Sequence, residues 1–365
     1  MTAAKLDGRE LDPMRVMGTV LAVQANFYKV QLDAKGDPDN GVAAPAYLLC
    51  TRRSRLKKIG QRVMVGDRAV VEAIDWEDGR GAISEVLPRN TELDRPPIAN
   101  AEQILLVFAF ADPPLEPYQL SRFLIKAEST GLNVCLSLNK CDLVSAEDRQ
   151  HWLSRLSSWG YRPMAIGVSS GTGFAELARS LDGAISVVSG PSGVGKSSLI
   201  NHLIPGAELR VSQVSGKLGR GRHTTRHVEL FEMATGGLLA DTPGFNQPEI
   251  DCSPTELVHY FPEARQRLAQ GKCQFNDCLH REEPNCVVAG DWERYEHYLT
   301  FLGEAIARQE ALQQLGERET KLKLKMKRDG RQQYEPKLAS NKYRRQSRRH
   351  QHQSLQDLCE DIEDT

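Results

Sequence analysis

Short apolar runs alternate with turn-forming residues over the N-terminal part of the chain, a pattern typical of β-strands. The best strand candidates are residues 16–23, 27–32, 46–50 and 67–73. No convincing helical periodicity interrupts these runs. We therefore predict a small β-barrel over residues 1–90, of the oligonucleotide-binding (OB) type.

The middle of the chain carries strongly apolar runs that each end just before a polar or glycine-rich motif. Residues 132–138 and 184–189 are such runs, and residues 163–167 form a weaker one. Buried strands of a parallel sheet have this continuous apolar character, and ligands bind at their carboxyl ends. We predict an α/β domain over residues 91–250, with a helix that begins at Ser198.

The C-terminal part has a helical pattern. Residues 254–270 and 291–314 are helix-like and flank a stretch that contains several cysteines. We predict a mostly α-helical domain over residues 251–320 and a basic, flexible tail at 321–365. The expected architecture is therefore multidomain, with a barrel, an α/β domain, a helical domain and a tail.

Residues 190–197 read Gly-Pro-Ser-Gly-Val-Gly-Lys-Ser, the pattern of a phosphate-binding loop between a strand and a helix. The glycines allow the backbone to wrap around phosphates, so that N–H groups face the negative charge. Lys196 is expected to reach the β- and γ-phosphates, and the Ser197 hydroxyl to coordinate Mg²⁺. The nucleotide-binding residues predicted here are Gly190, Pro191, Ser192, Gly193, Val194, Gly195, Lys196, Ser197 and Ser198.

Residues 139–142 read Asn-Lys-Cys-Asp, the pattern of a guanine-recognition motif. The Asp142 carboxylate can accept the ring N–H and the exocyclic amine of guanine, a pair of donors that adenine lacks. A buried acceptor of this kind rejects the wrong base by about 10⁴ to 10⁵, because it would be left unpaired. The predicted guanine contacts are Asn139, Lys140, Asp142, Ser169 and Ser170.

Residues 241–244 read Asp-Thr-Pro-Gly, which is typical of a GTPase switch. Asp241 is expected to hold Mg²⁺ through a water, and the Gly244 N–H to meet the γ-phosphate. Phe245 follows where many GTPases carry the glutamine that orients the attacking water. His223 is the candidate replacement, because a neutral imidazole can align a water or accept a proton. A solvated loop histidine is the alternative.

The order of these motifs is unusual for a GTPase, because the guanine motif comes first. The domain is therefore predicted to be circularly permuted, which leaves the site intact because the motifs follow parallel strands. One of the two threonines after His223 should bind Mg²⁺ when GTP is present, and the sequence does not decide which. The predicted catalytic residues are His223, Lys196, Thr224 and Thr225.

The 365 residues are 40% hydrophobic and carry a formal net charge of −1, which hides an uneven distribution. Residues 318–349 are strongly basic, with Tyr334 and Tyr343 interleaved, and residues 52–58 form a second basic cluster. Basic groups neutralise phosphates and aromatic rings stack on bases, so both segments favour RNA as a partner. A tail that is merely solvated is the alternative.

Three of the 8 cysteines lie close in sequence to one histidine, in the pattern Cys-x4-Cys-x-His-x5-Cys. We see no signal peptide and no run of the roughly twenty apolar residues that span a bilayer, so we expect a cytoplasmic protein without membrane contact. Cysteines there are thiols or metal ligands rather than disulfides. The ligands predicted for one structural zinc ion are Cys273, Cys278, His280 and Cys286.

The permuted motif order, the barrel before it and the Cys/His cluster after it resemble the RsgA (YjeQ) family of bacterial small-ribosomal-subunit biogenesis GTPases. Residues 221–225 match the Gly-x-His-Thr-Thr element of that family, and the resemblance covers residues 15–320. It implies a late maturation factor that binds the small (30S) ribosomal subunit and its 16S rRNA through the barrel and the zinc domain. It also implies GTP hydrolysis that is faster on the ribosome. We expect GTP and GDP as ligands and a monomer.

Three other functions fit parts of the pattern. A P-loop ATPase or small-molecule kinase fits the phosphate loop but not residues 139–142. An RNA-binding scaffold with negligible turnover fits the basic segments, although Lys196, Ser197 and Asp241 are intact. Elongation factors differ in motif order. Because the chain after Asp241 leads straight to the zinc domain, we also hypothesise that the γ-phosphate alters the RNA-binding surface of that domain.

Overall fold

The computed structural model of the chain describes residues 15–33, 46–94, 96–204, 228–241, 248–319, 322–326 and 332–336. The chain divides into two compact units, Met1–Leu302 and Gly303–Thr365. The first unit contains a barrel, a six-stranded sheet and the cysteine cluster. Among the helices of the described residues, none has the length and apolar character needed to cross a membrane.

A closed five-stranded barrel forms the N-terminal part of the first unit. Its strands are β1 (Val16–Gln24), β2 (Phe27–Leu32), β3 (Tyr47–Arg52), β4 (Arg68–Asp75) and β5 (Arg80–Val86). They close in the order β1-β2-β3-β5-β4, and β3 and β5 pair in parallel. Val20, Val30, Leu48 and Ile83 are among the buried side chains that fill the interior, alternating with outward-facing residues.

The predicted barrel is confirmed, and the four predicted strands agree with β1 to β4 to within two residues at each end. The fifth strand was missed, because its sequence, Arg-Gly-Ala-Ile-Ser-Glu-Val, has few apolar residues. Gly81 is required in it, since a Cβ atom there would lie 2.6 Å from Val71 Cγ1. The expectation that no helix interrupts the strands is wrong: α1 (Ser54–Lys58) carries most of the basic cluster and buries Leu56.

A short hairpin of β6 (Glu92–Asp94) and β7 (Pro97–Ala99) leads from the barrel into a six-stranded sheet. The strands of the sheet are β8 (Gln103–Ala109), β9 (Asn133–Asn139), β10 (Met164–Ala165), β11 (Ile185–Ser189), β12 (Leu230–Glu232) and β13 (Leu238–Asp241). They lie in the order β10-β9-β8-β11-β13-β12. All neighbours pair in parallel except β12 and β13.

Helices cover both faces of this sheet. They are α2 (Pro117–Glu128), α3 (Ala146–Ser158), α4 (Phe174–Ser180) and α5 (Lys196–Leu203). Every residue of β8 is buried, which explains its continuous apolar run. Leu105 and Val107 pack in a cluster with residues of α4 and α5, whereas Leu106 and Phe108 pack with residues of α2 and α3.

Beyond the sheet, a 3₁₀ helix (Leu257–Tyr260) and α6 (Pro262–Gln270) precede the cysteine cluster, and α7 (Tyr295–Glu319) follows it. The helix predicted at 254–270 is therefore divided, with Pro262 at the first position of α6, where its fixed φ suits a helix start. Two antiparallel strands, β14 (Leu322–Met326) and β15 (Gln332–Pro336), lie in the segment for which we predicted only a flexible tail.

Candidate nucleotide site and metal centre

Three predicted motifs follow strands that end along one edge of the sheet. β9 ends at Asn139, β11 ends just before Gly190, and β13 ends at Asp241. In the strand order, β8 separates β9 from β11, and β13 lies on the other side of β11. Open α/β sheets bind their ligands at this carboxyl edge.

The Asn139 side chain joins the guanine motif to the phosphate loop. It is 2% exposed, and its Nδ2 donates to the Val194 carbonyl oxygen at 2.8 Å. A Cβ atom on Gly195 would lie 2.5 Å from this nitrogen, so glycine is needed to leave room for the contact. The buried Asn139 Oδ1 has no hydrogen-bond partner within the described part of the chain.

Lys140 is held by a residue that the sequence did not single out. Its backbone is left-handed (φ 59°), and its Nζ donates to the Asp112 carbonyl oxygen and lies 3.4 Å from Asp112 Oδ2. Asp112 follows β8, the strand that separates the two motifs. This contact holds the far end of the lysine side chain.

The Asp142 carboxylate is exposed, whereas we expected a buried acceptor. It lies in a 3₁₀ helix (Cys141–Leu143), and a Cβ atom on Gly167 would come within 3.0 Å of its Oδ1. An acceptor that a base must reach has to be open on one side. The exposed Asp142 carboxylate is therefore accessible to a ligand.

Ser169 and Ser170 are exposed in the turn after β10. The Ser170 hydroxyl donates to the Gly167 carbonyl oxygen at 3.3 Å. The backbone of this loop is tied to the guanine motif, because the Cys141 N–H donates to the Ile166 carbonyl oxygen at 3.0 Å. The structure thus brings the two predicted guanine loops side by side.

The phosphate loop depends on glycine at three positions. Gly190, Gly193 and Gly195 have φ values of 144°, 84° and 91°, which residues with a side chain rarely adopt. At Gly190, a Cβ atom would also lie 2.0 Å from the Val107 carbonyl oxygen of β8. The Lys196 ammonium donates to two carbonyl oxygens of the loop, at 2.7 and 2.6 Å.

Helix α5 begins at Lys196, two residues before the predicted start at Ser198. Ser197 and Ser198 therefore lie in its first turn, where backbone N–H groups are free to face an anion. Val194 is 1% exposed and packs in the core with Leu199, which anchors the loop to the sheet.

Asp241 is the last residue of β13, and its backbone pairs with Val188 of β11. It therefore lies beside the strand that enters the phosphate loop. The other predicted switch residues, His223, Thr224, Thr225 and Gly244, lie outside the described residues, as does Phe245.

The four predicted metal ligands come together, with their ligand atoms all within 4.8 Å of one another. His280 Nδ1 lies 3.5 Å from the sulfurs of Cys273 and Cys278 and 3.3 Å from Cys286 Sγ, and the Cys273 and Cys286 sulfurs are 3.8 Å apart. A tetrahedral zinc with ordinary bond lengths requires about 3.8 Å between sulfurs and about 3.6 Å between sulfur and nitrogen. The donor set thus fits a tetrahedral metal ion.

Residues outside the ligand set hold this loop in shape. The Glu283 carboxylate accepts from the Leu279 and Arg281 N–H groups at 2.9 and 2.6 Å, and the Tyr298 hydroxyl donates to the Leu279 carbonyl oxygen at 2.7 Å. Burial and the neighbouring thiols raise the pKa of Cys278 to about 12.

The comparisons with known proteins agree with one another. A model of the RsgA GTPase family matches residues 86–251. The chain is 66% identical over 363 residues to the small ribosomal subunit biogenesis GTPase RsgA of Trichormus variabilis, covering 96% of this chain and 98% of that protein. The chain belongs to the RsgA GTPase family.

Solved structures support the same assignment. YjeQ from Thermotoga maritima matches the RsgA-family chain with a TM-score of 0.67 at 32% identity, covering 80% of this chain and 99% of that one. YloQ, described as a circularly permuted GTPase, matches with a TM-score of 0.65 at 29% identity, covering 84% and 99%. The predicted resemblance and fold class are thereby confirmed, and the chain is a GTP-hydrolysing enzyme.

In this RsgA-family chain, polar contacts attach the barrel to β12. Ala22 of β1 forms a β-bridge with Glu229, and Lys29 Nζ lies 3.4 Å from Glu229 Oε1. The Tyr47 hydroxyl donates to Glu232 Oε2 at 2.6 Å. This bond, burial and the glutamate charge raise the pKa of Tyr47 to about 12, so the hydroxyl remains a donor at neutral pH. We call these five residues the barrel joint.

A buried arginine attaches residues 251–302 of this RsgA-family chain to the α/β domain. We call these residues the metal-binding segment, because they include the four candidate metal ligands. Arg294 is fully buried, and its Nε donates to Glu263 Oε1 at 2.8 Å. Its guanidinium lies 4.7 Å from the ring centroid of Trp159, 5.5 Å from that of Tyr161 and 4.9 Å from that of Phe261. Burial acts to lower the pKa of Arg294, but Glu263 and Tyr161 together more than offset this and the net shift is upward. We call these five residues the arginine joint.

Proposed function

We propose that this GTPase acts in biogenesis of the small ribosomal subunit, where it binds the subunit and its RNA and hydrolyses GTP faster when bound. The observation that carries the proposal is the 66% identity, over 96% of this chain, to a protein named for that process. We propose four domains for this function: a barrel at residues 1–90, the GTPase domain at 91–250, the zinc domain at 251–320 and a tail at 321–365. A monomer in the cytoplasm is part of the proposal.

Guanine is proposed to bind between the two loops that follow β9 and β10. Asp142 would accept the two guanine donors, and its exposure leaves the carboxylate accessible to a base. Lys140, whose ammonium is held by Asp112, would lay its aliphatic stem against the base. The proposed guanine contacts are Asn139, Lys140, Asp142, Ser169 and Ser170.

The phosphates are proposed to lie in the loop that follows β11, with Mg²⁺ held by Ser197, by Asp241 and by Thr224 or Thr225. The metal ion would neutralise charge on the β- and γ-phosphates. Positive φ values at Gly190, Gly193 and Gly195 support a loop whose N–H groups face an anion. The proposed phosphate contacts are Gly190, Pro191, Ser192, Gly193, Val194, Gly195, Lys196, Ser197, Ser198 and Gly244.

His223 is proposed to orient the attacking water, because Phe245 has no group that could do so. We expect His223→Ala to lose most hydrolysis while nucleotide affinity stays within about twofold, since a water-orienting group acts in the transition state. Steady-state turnover and binding of a fluorescent GTP analogue measure the two effects. Unchanged turnover in this variant would remove His223 from the mechanism.

One structural zinc ion is proposed at Cys273, Cys278, His280 and Cys286. The spacing of the four ligand atoms supports tetrahedral coordination, and four protein ligands leave no position for a reactive water. RNA binding is proposed for the barrel and the metal-binding segment. The barrel supports this proposal with the exposed side chains of Phe27 and Leu49 and with the basic helix α1.

GTP hydrolysis by the purified full-length protein tests the proposed function. Rates are measured at fixed salt for the protein alone, with isolated small ribosomal subunits and with isolated large subunits. Stimulation by the small subunit alone is the expected result. Equal rates in all three mixtures, with GTP still bound, would refute the proposed function and leave the GTPase assignment standing.

A further inference from the structure

The barrel joint ends on the strand that lies next to the proposed magnesium side of the nucleotide site. In the β12–β13 pair, Leu230 faces Ala240 and Glu232 faces Leu238, and β13 ends at Asp241. Within the chain, β12 is also the first strand after the residues that include His223. β12 is therefore paired with β13 as far as Ala240, the residue before Asp241.

The barrel side of the joint belongs to an outward surface. Lys29 is paired with Leu49 across β2 and β3, and its ammonium lies 5.2 Å from the ring centroid of Tyr47. Phe27 and Leu49 on the same two strands are 50% and 47% exposed. A strand surface with aromatic and basic side chains stacks bases and neutralises phosphates. Lys29 and Tyr47 thus belong both to this surface and to the joint.

The contacts of the barrel joint are weak enough to be broken. The Lys29 and Glu229 side chains are 45% and 36% exposed, so their ion pair is weak and open to competition from other anions. A groove of about 370 Å³, open to solvent, lies beside the pair, between the barrel and β12, and is lined by Leu21, Ile204 and Met233 among others. Because no packed core fills this groove, the two surfaces can shift there without disrupting one.

We propose that RNA on the barrel controls GTP hydrolysis through this joint: an RNA phosphate competes with Glu229 for Lys29, and the resulting shift of β12 is passed to Asp241. The inference rests on the proposed function, because it requires RNA on the barrel. Glu229 and Glu232 are then positioning residues. They act through β12 and are not among the proposed nucleotide contacts.

The double variant Glu229→Gln/Glu232→Met tests this route. It removes the charge that faces Lys29 and the acceptor of the Tyr47 hydroxyl, with little change in side-chain size. Glu72→Gln is the matched control, because it breaks ion pairs with Arg15 and Arg53 inside the barrel, away from β12. The single variant Glu229→Gln keeps the Tyr47 bond to Glu232, and we expect its effect to be intermediate. It replaces the double variant in the test if the double variant folds poorly.

Two readouts separate coupling from simple loss of structure. They are the stimulation of hydrolysis by saturating small subunits, and the ratio of small-subunit affinities with a non-hydrolysable GTP analogue and with GDP. Allosteric coupling between two ligands is typically about 5- to 150-fold. We expect both quantities to fall to below about twofold in the double variant and to be unchanged in Glu72→Gln. Basal hydrolysis of the double variant should rise toward the subunit-stimulated rate, because the ion pair that RNA would break is already absent.

The outcomes distinguish this inference from the function on which it rests. If the small subunit stimulates the wild type and the double variant equally, and the affinity ratio is preserved, the barrel joint does not couple RNA binding to hydrolysis. The inference is then overturned, and the proposed function stands. If the small subunit fails to stimulate even the wild type, the proposed function is refuted and the inference falls with it.

Discussion

The barrel and the metal-binding segment are attached to the same sheet in opposite ways. At the barrel joint, partly exposed polar side chains meet beside a groove that is open to solvent. At the arginine joint, the fully buried Arg294 is paired with Glu263 and enclosed by aromatic rings. A buried, fully enclosed charge has one favourable arrangement, whereas an exposed pair has many. One attachment is thus suited to movement and the other to fixed geometry.

The two joints also act on different sides of the nucleotide site. The barrel joint holds β12, beside the strand that ends at Asp241, whereas Trp159 and Tyr161 precede β10 and the proposed guanine loop. The sequence led us to expect that the γ-phosphate acts on the metal-binding segment, because the chain after Asp241 leads there. That route stays a prediction, beside the one proposed for the barrel joint.

Of the three changes described below, we expect loss of the metal to disrupt the structure most. The arginine joint depends on the metal-binding segment, which should unfold without the metal. Cys286→Ser removes one of four ligands, and we expect loss of bound zinc and unfolding of the segment that follows the 3₁₀ helix. Zinc content and limited proteolysis measure this, with Cys252→Ser, a thiol outside the cluster, as the control. A variant that retains zinc and protease resistance would show that Cys286 is not a ligand.

We expect Arg294→Met to have the second-largest effect on stability. It leaves Glu263 as an unpaired, largely buried carboxylate, which costs about 3–5 kcal/mol in the free energy of unfolding. Urea unfolding at neutral pH measures the loss. The double variant Arg294→Met/Glu263→Met should recover most of it, because it buries no unpaired charge. A cost below about 1 kcal/mol for Arg294→Met would contradict a rigid arginine joint.

Glu229→Gln should have the smallest effect on stability. It removes one exposed ion pair, and such pairs contribute about 0–1 kcal/mol. The same urea experiment therefore separates the two joints, since Glu229→Gln is expected to unfold close to wild type. A cost comparable with that of Arg294→Met would mean that the barrel joint is a rigid support as well.

Local sequence patterns predicted those features that a short stretch of chain determines. Residues 139–142, residues 190–197 and the four metal ligands were found because the chemistry of each motif fixes its spacing. Contacts between distant residues left no such pattern. Lys140 and Asp112 are 28 positions apart, and Tyr47 and Glu232 are 185 apart.

Arg294 shows the same limit in a different form. A single arginine before a helix reads as a solvated residue, because charged side chains are rarely fully buried. Its burial depends on three rings and a carboxylate from other parts of the fold. The exposure of Asp142 was also not predictable from the motif. The burial that we expected from the motif is that of a site with guanine bound.

Hydrogen exchange of the full-length protein, with GDP and with a non-hydrolysable GTP analogue, tests the contrast between the joints most directly. Exchange reports local opening at each backbone N–H. We expect nucleotide-dependent protection in β12 and in the barrel strands β1 to β3, and equal protection in α6 and in residues 294–302. A nucleotide-dependent change at α6 and residues 294–302, with β12 and the barrel unchanged, would contradict this account.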